Sequence, residues 1–389
     1  MTHSQRKNSQ RYDAAYLENI SERVFRDTAR FKDQGGKVVA VYCAFTPKEI
    51  IAAAGAVPVS LCAGSDRPVA AAEAHLPRNL CPLIKSSYGF GLTDTCPYFH
   101  ETDYILADLT CDGKKKMFEL LARLKPVHLL HLPQTAGTPE SLAQWRGELV
   151  KVRDLLQTVT GRQITDEILG EQIVLYNAMR RTQQDLYRMN TGAVPLVFGR
   201  EMEIIADPGG FELDLPQRMA EMRLAMDDLA GRGADPVFLT DMRRRPRILV
   251  TGCPTTNKKL LDVIEGSGGV VAALENCGGL KTVGRLVAET GDPLTALAEK
   301  YLAIPCPCMT PNTVRLDLLT ELVREFHIEG VVELTWSGCH TYNIESHMVR
   351  EHVQESLGLP YLQVETDYSQ SDTERLRLRV QAFLELVRE

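Results

Sequence analysis

The chain has 389 residues, a formal charge of −7, 44% apolar residues and 24% charged residues. Such a length predicts two or three domains with cores of their own, and the mild acidity leaves no global electrostatic case for binding nucleic acid or an anionic membrane surface. The longest weakly polar stretch, residues 50–64, is interrupted by Gly55, Pro58 and Ser60 and is shorter than the ~20 residues of a membrane span.

Taken in chain order, the first residues (Gln5, Arg6, Lys7 and Asn8 among them) lack the apolar run of an export signal, so the cytoplasm is the expected compartment. A polar helix is expected over residues 16–32. Residues 38–135 then alternate short β-branched runs with helical stretches, which predicts parallel α/β layering with strands at 38–42, 57–61, 104–109 and 127–132. The stretch 139–233 follows a 3.6-residue period, through Leu142, Trp145, Leu149, Val152 and Leu156, then Ile168, Ile173, Tyr176 and Met179, then Met219, Met222, Leu224 and Met226. Strands return at 247–251, 270–275, 330–335 and 361–365. The expected architecture is therefore α/β, with two Rossmann-like (flavodoxin-like) parallel-sheet domains joined by a helical region. An N-terminal helical segment (1–36) precedes a first α/β domain (37–137), a helical bridge (138–245) and a second α/β domain with a C-terminal helix (246–389).

Ten cysteines stand out, at positions 43, 62, 81, 96, 111, 253, 277, 306, 308 and 339. Disulfides are rare in the cytoplasm and a chain of this size does not need them. Zinc sites of the structural kind carry C-x-x-C pairs, whereas the nearest pair here is Cys306-Pro307-Cys308. Neither G-x-x-x-x-G-K-[ST] nor G-x-G-x-x-G occurs, so no standard ATP or dinucleotide site is expected. Position is more telling. Cys43 and Cys253 follow the first strand of each expected domain, Cys62 and Cys277 the second, Cys111 and Cys339 the third, with Cys81, Cys96, Cys306 and Cys308 between second and third strands. That is the strand edge where open α/β sheets bind ligands. Helix starts are expected close by, with Thr46-Pro47-Lys48-Glu49 read as a capping box, Asp112 as the cap of a helix over 114–124, and Thr310-Pro311 as the start of another. Helix N-termini favour thiolates. An iron–sulfur site in the cleft between the domains is the expectation, and spacing alone does not choose between one cubane and more.

Six segments in order resemble the 2-hydroxyacyl-CoA dehydratase and benzoyl-CoA reductase family: residues 41–49 (VYCAFTPKE), 81–89 (CPLIKSSYG), 111–116 (CDGKKK), 275–279 (ENCGG), 305–312 (PCPCMTPN) and 339–345 (CHTYNIE). Within it the chain looks most like the double-cubane cluster proteins. The resemblance implies a homodimer in which six thiolates of one chain hold an eight-iron, nine-sulfur cluster, reduced by a separate ATP-dependent iron–sulfur reductase. Dehydratases of the family instead pair two different subunits, each with a 4Fe-4S cluster, and eliminate water through a ketyl radical. The ligands so implied are Cys43, Cys81, Cys111, Cys277, Cys306 and Cys339. Cys308 competes with Cys306, and Cys62, Cys96 and Cys253 are assigned to packing. His340, Tyr342 and Glu345 are candidates for proton donation at the cluster, with helix capping and support as the equal alternative. Glu49 is assigned to the capping box, Lys114, Lys115 and Lys116 to a solvated helix face or a docking site, and His128 and His131 to the core or sheet edge. The expected activity is reduction of a small molecule. The alternatives are an acyl-CoA dehydratase or ring-reductase subunit, and a non-catalytic electron carrier.

Overall fold

A computed structural model of the chain describes Tyr12, residues 14–206 and residues 213–389. Eight β-branched, turn-bounded segments form its strands: β1 (Val38–Val41), β2 (Val57–Ser60), β3 (Tyr104–Asp108), β4 (Val127–Leu130), β5 (Arg247–Gly252), β6 (Val270–Glu275), β7 (Gly330–Trp336) and β8 (Tyr361–Thr366). They pair into two four-stranded sheets, both wholly parallel, ordered β2-β1-β3-β4 and β6-β5-β7-β8. Strands β1, β5, β6 and β7 are buried along their whole length, as parallel strands covered on both faces must be. The repeated order places a topological switch between β1 and β3, and again between β5 and β7, and open α/β sheets bind ligands in the crevice at such points.

Between the sheets in sequence lie the helices Pro139–Thr160, Asp166–Arg188, Gly199–Ala206, Leu215–Ala230 and Pro236–Met242. The expected stripes are buried at Trp145, Leu149, Val152, Leu156, Ile173, Tyr176, Met179, Met219 and Met222. Leu224 departs from its stripe: it faces solvent at 69% exposure, because the buried side of Leu215–Ala230 runs through Met219, Met222, Ala225 and Leu229. A less local feature is the path of residues 287–309. Val287, Leu294, Leu297, Leu302, Ile304, Cys308 and Met309 share one hydrophobic cluster with Val39 and Val41 of β1 and with Trp145 and Leu149. This late segment thus packs against the first sheet and brings Cys306 and Cys308 with it.

Three expected helix starts are corrected. Thr46 does not cap: its hydroxyl donates to the buried Asp108 carboxylate at 2.9 Å, and the helix Lys48–Ala53 follows Pro47 without a side-chain cap. Glu49 is no capping-box residue either, being fully buried against Arg180 and Tyr301. The helix after Cys111 is Asp112–Leu121, with Cys111 itself in the N-cap position, while the Asp112 carboxylate is exposed and pairs with Lys115 at 3.0 Å. The helix after Cys308 begins at Thr313, past Asn312, and the Thr310 N–H ahead of it donates to the Gln134 carbonyl at 2.7 Å.

A buried cation organises the ligand edge of the second sheet. Arg315, fully buried on the helix Thr313–Glu325, donates to Thr251 of β5 at 2.8 Å, Glu333 of β7 at 2.9 Å and Glu275 of β6 at 3.4 Å. It also pairs with Glu345 on the helix His340–Glu351. Replacing Arg315 by Met would strand these carboxylates, and loss of one partner of a buried ion pair costs roughly 3–5 kcal/mol. Denaturant unfolding of Arg315→Met should show a loss of that order, and a change within experimental error would contradict the role.

Two glycines permit close approach between distant segments. Gly338 has φ +76°, and a Cβ there would stand 2.4 Å from the Asn79 carbonyl, so the loop carrying Cys339 can lie on the loop carrying Cys81 only without a side chain. At Gly64 a Cβ would meet the Thr256 carbonyl at 2.2 Å. Gly147, inside the helix Pro139–Thr160, has open space around it. Gly338→Ala is expected to destabilise by about 1–3 kcal/mol, and Gly147→Ala to stabilise by about 0.5–1 kcal/mol. Thermal unfolding of the two variants tests the order, and the reverse ranking would refute it.

Candidate metal centre

The carboxyl-end loops of both sheets open on one cavity of about 800 Å³. Nine of the ten cysteines line it: Cys43, Cys62, Cys81, Cys111, Cys253, Cys277, Cys306, Cys308 and Cys339. All six residues singled out as ligands are therefore brought to one space, from loops after β1, β3, β6 and β7 and from the segments 77–81 and 303–308. Cys96 is elsewhere, at the N-cap of the short helix Pro97–Glu101. Cys62 and Cys253, assigned to packing, also reach the cavity, where Cys62 donates to the Tyr42 carbonyl at 2.9 Å and Cys253 accepts from the Trp336 N–H at 3.4 Å.

Local structure explains the aim of three sulfurs. Cys81, Cys111 and Cys339 occupy the N-cap positions of the helices Pro82–Thr93, Asp112–Leu121 and His340–Glu351. Their side chains make no cap hydrogen bond, but the nearby backbone N–H groups of Leu83 and Ile84 at Cys81, Lys114 at Cys111 and Tyr342 at Cys339 each act to lower the thiol. A side-chain oxygen at the N-cap normally satisfies these orphan donors, and here a thiol stands in its place.

The thiols also meet one another across the cavity. The neighbouring Cys253 and Cys81 thiols hold the Cys339 thiol well below its usual range against the opposing effect of burial. Cys81 is pushed up by the same contact and by burial. The neighbouring Cys308 lowers Cys306 to about 7, and Cys308 is raised by Cys306 and by burial. Both sulfurs face the cavity. Burial raises Cys43, Cys111 and Cys277, the last to about 11. Buried thiols of this kind lose their protons outright when a metal takes them.

Two lysines supply compensating charge. Burial would lower Lys114, but the neighbouring Cys43, Cys62, Cys111 and Cys277 outweigh it and hold the ammonium well above its usual range. Its Nζ reaches the Tyr42 carbonyl at 3.3 Å. The lysine run is thus divided, because Lys115 and Lys116 are exposed and paired with Asp112 and Glu119. Lys281, buried, bridges Glu275 at 3.1 Å and the Tyr342 hydroxyl at 2.9 Å. Neither lysine was distinguishable from surface lysines by periodicity alone.

Of the residues proposed as proton donors, Tyr342 lines the cavity, and burial keeps its phenol protonated. His340 also lines the cavity and is exposed. Glu345 does not line it: its carboxylate is taken by Arg315 and by Asn312 at 2.6 Å, which is the supporting alternative. His128 lies within β4 and His131 just beyond it. Among the described residues, no group of three or more His, Cys, Asp or Glu is arranged around a single metal-ion position. The donor set is instead an extended array of soft thiolates with cations nearby, chemically suited to an iron–sulfur group, whose ligands are cysteine thiolates. No helix among the described residues is long and apolar enough to cross a membrane.

Comparison with known proteins places the chain among relatives. The E. coli (strain K12) protein named "Putative dehydratase subunit YjiM" is 42% identical over 363 residues, covering 92% of this chain and 93% of its own length. One of the benzoyl-CoA reductase subunits of Thauera aromatica is 25% identical, with 90% of each chain covered. The (R)-phenyllactyl-CoA dehydratase beta subunit of Clostridium sporogenes is 22% identical, covering 90% of this chain and 92% of its own. The family model described as 2-hydroxyglutaryl-CoA dehydratase, D-component, matches residues 43–387, from the first cavity cysteine to the last helix, and the chain belongs to that family.

Proposed function

We propose that the protein is a low-potential reductase of small molecules, in which Cys43, Cys81, Cys111, Cys277, Cys306 and Cys339 hold an 8Fe-9S double cubane in the cavity between the two sheets. Electrons come from a separate ATP-dependent iron–sulfur reductase, and the working unit is a homodimer. The observation that carries this reading is the convergence of thiols from both halves of the chain on one cavity. A single cubane takes about four thiolates, fewer than the cavity presents. When bound, the cluster supplies low-potential one-electron chemistry. The chain itself supplies the thiolates, the positive ends of the helices that start after Cys81, Cys111 and Cys339, and the ammonium groups of Lys114 and Lys281 that offset the negative charge. Tyr342 retains its proton and, accepting from Lys281 at 2.9 Å, has its own hydroxyl hydrogen free to donate. His340 stands where a proton from solvent can be passed inward.

The names of the relatives favour a second reading, a subunit that acts on an acyl-CoA in a 2-hydroxyacyl-CoA dehydratase or a benzoyl-CoA-type reductase. Composition of the purified protein separates the two. Iron and acid-labile sulfide on anaerobically purified protein should give about eight irons per chain for the double cubane and about four for the second reading. Protein without iron would sink both.

Serine variants then test the ligand set. Cys43→Ser, Cys111→Ser and Cys277→Ser should each lose about half the iron or more, the content of one cubane. Cys96→Ser should retain all of it. Equal losses in all four would show that the cavity is not what binds iron.

A further inference from the structure

Lining the same cavity as the thiol array is a buried lysine without an anion. Lys300, on the helix Pro293–Leu302, lines the cavity and is 5% exposed. Among the described residues its ammonium has no hydrogen bond or ion pair, only the face of Tyr301, 4.1 Å from its Nζ. The charges around it do not balance. From the helix Asp166–Arg188 comes Arg180, from the loop before its own helix Arg285, and from the helix Lys48–Ala53 the single carboxylate Glu49. Both Glu49 oxygens are already engaged, one by Arg180 and one by the Tyr301 hydroxyl at 2.8 Å. Arg180 spends its remaining contacts on Asn177 at 3.0 Å and Tyr301 at 2.9 Å. Burial, reinforced by Arg180, drops the Lys300 ammonium to about 7. A buried cation with no counter-charge is costly unless something pairs with it.

The cavity is much larger than a bare inorganic anion, and Tyr176, Met179 and Val283 add apolar lining beside the polar groups. We infer that Lys300 anchors the carboxylate of a small organic acid, whose apolar body lies along the cavity toward the thiol-lined end. This rests on the reading of the cavity as a reduction site and narrows its substrate class. Lys300 acts here as a binding residue, since nothing places it among the thiols.

Competitive labelling tests it on the unmodified, anaerobically purified holoprotein. Lys300 is acylated with acetic anhydride over a range of pH and followed by mass spectrometry, with butyrate, butyramide or inorganic phosphate as the probe. Labelling of Lys300 should rise near neutral pH. Butyrate should slow it by roughly tenfold or more and move the rise to higher pH, as expected of a charge-assisted pair that keeps the amine protonated. Butyramide and phosphate should leave it unchanged. Equal protection by butyrate and butyramide, protection by phosphate as strong as by butyrate, or no protection would each overturn the inference. By calorimetry, Lys300→Met should bind butyrate about tenfold more weakly and Lys300→Arg should retain binding. Should Lys300→Met fail to fold, the labelling of the unmodified protein decides alone. Iron content keeps the two readings apart: eight irons with an unprotected Lys300 removes only the carboxylate anchor, and a protected Lys300 in iron-free protein removes only the reductase.

Discussion

The structure depends on bringing the cysteine-bearing loops of two separate sheets into contact without intervening side chains. One such contact is the Gly338 loop on the Asn79 carbonyl, which sets Cys339 beside Cys81. A second is the passage of residues 287–309 into the core of the first sheet, which delivers Cys306 and Cys308 to the side of the cavity that Cys43 occupies. Neither sheet alone presents the array. Cooperative folding of both sheets is therefore a precondition for the centre, and the burial of parallel strands on both faces provides the rigidity that such a site requires.

Electrostatics divides the cavity into two ends. At the thiol end, Lys114 and Lys281 face sulfurs that carry negative charge once deprotonated, and the Arg315 network fixes the loops from which Cys277 and Cys339 project. At the other end Lys300 and Arg180 outnumber the carboxylates. A molecule with an anionic group at one end and a reducible group at the other matches this polarity.

Much of the fold was legible from sequence because it is local. The β-branched runs matched the strands to within about two residues at each end, and β6 coincides with the expected 270–275. The duplicated placement of cysteines after strands one, two and three was legible for the same reason. Helix caps were not, because Thr46 and Glu49 have partners, Asp108 and Arg180, that lie 62 and 131 residues away. Lys114 looked like its neighbours Lys115 and Lys116, and only tertiary structure shows that it turns toward the sulfurs. The Lys300 cluster had no sequence signature at all, since its members come from helices that begin at Lys48, Asp166 and Pro293. Cys62 and Cys253 show the converse limit: their positions after strands placed them at the ligand edge, yet they were assigned to packing, and both border the same cavity as the other thiols.

The central claim is that one polynuclear iron–sulfur centre is held by sulfurs from both halves of the chain. Anomalous diffraction at the iron edge, from crystals grown without oxygen, tests it most directly. The account predicts iron density in the cavity within bonding distance of Cys43, Cys81 and Cys111 on one side and of Cys277, Cys306 and Cys339 on the other. Iron bound by cysteines of one half only, or a cavity with no iron density, would contradict it.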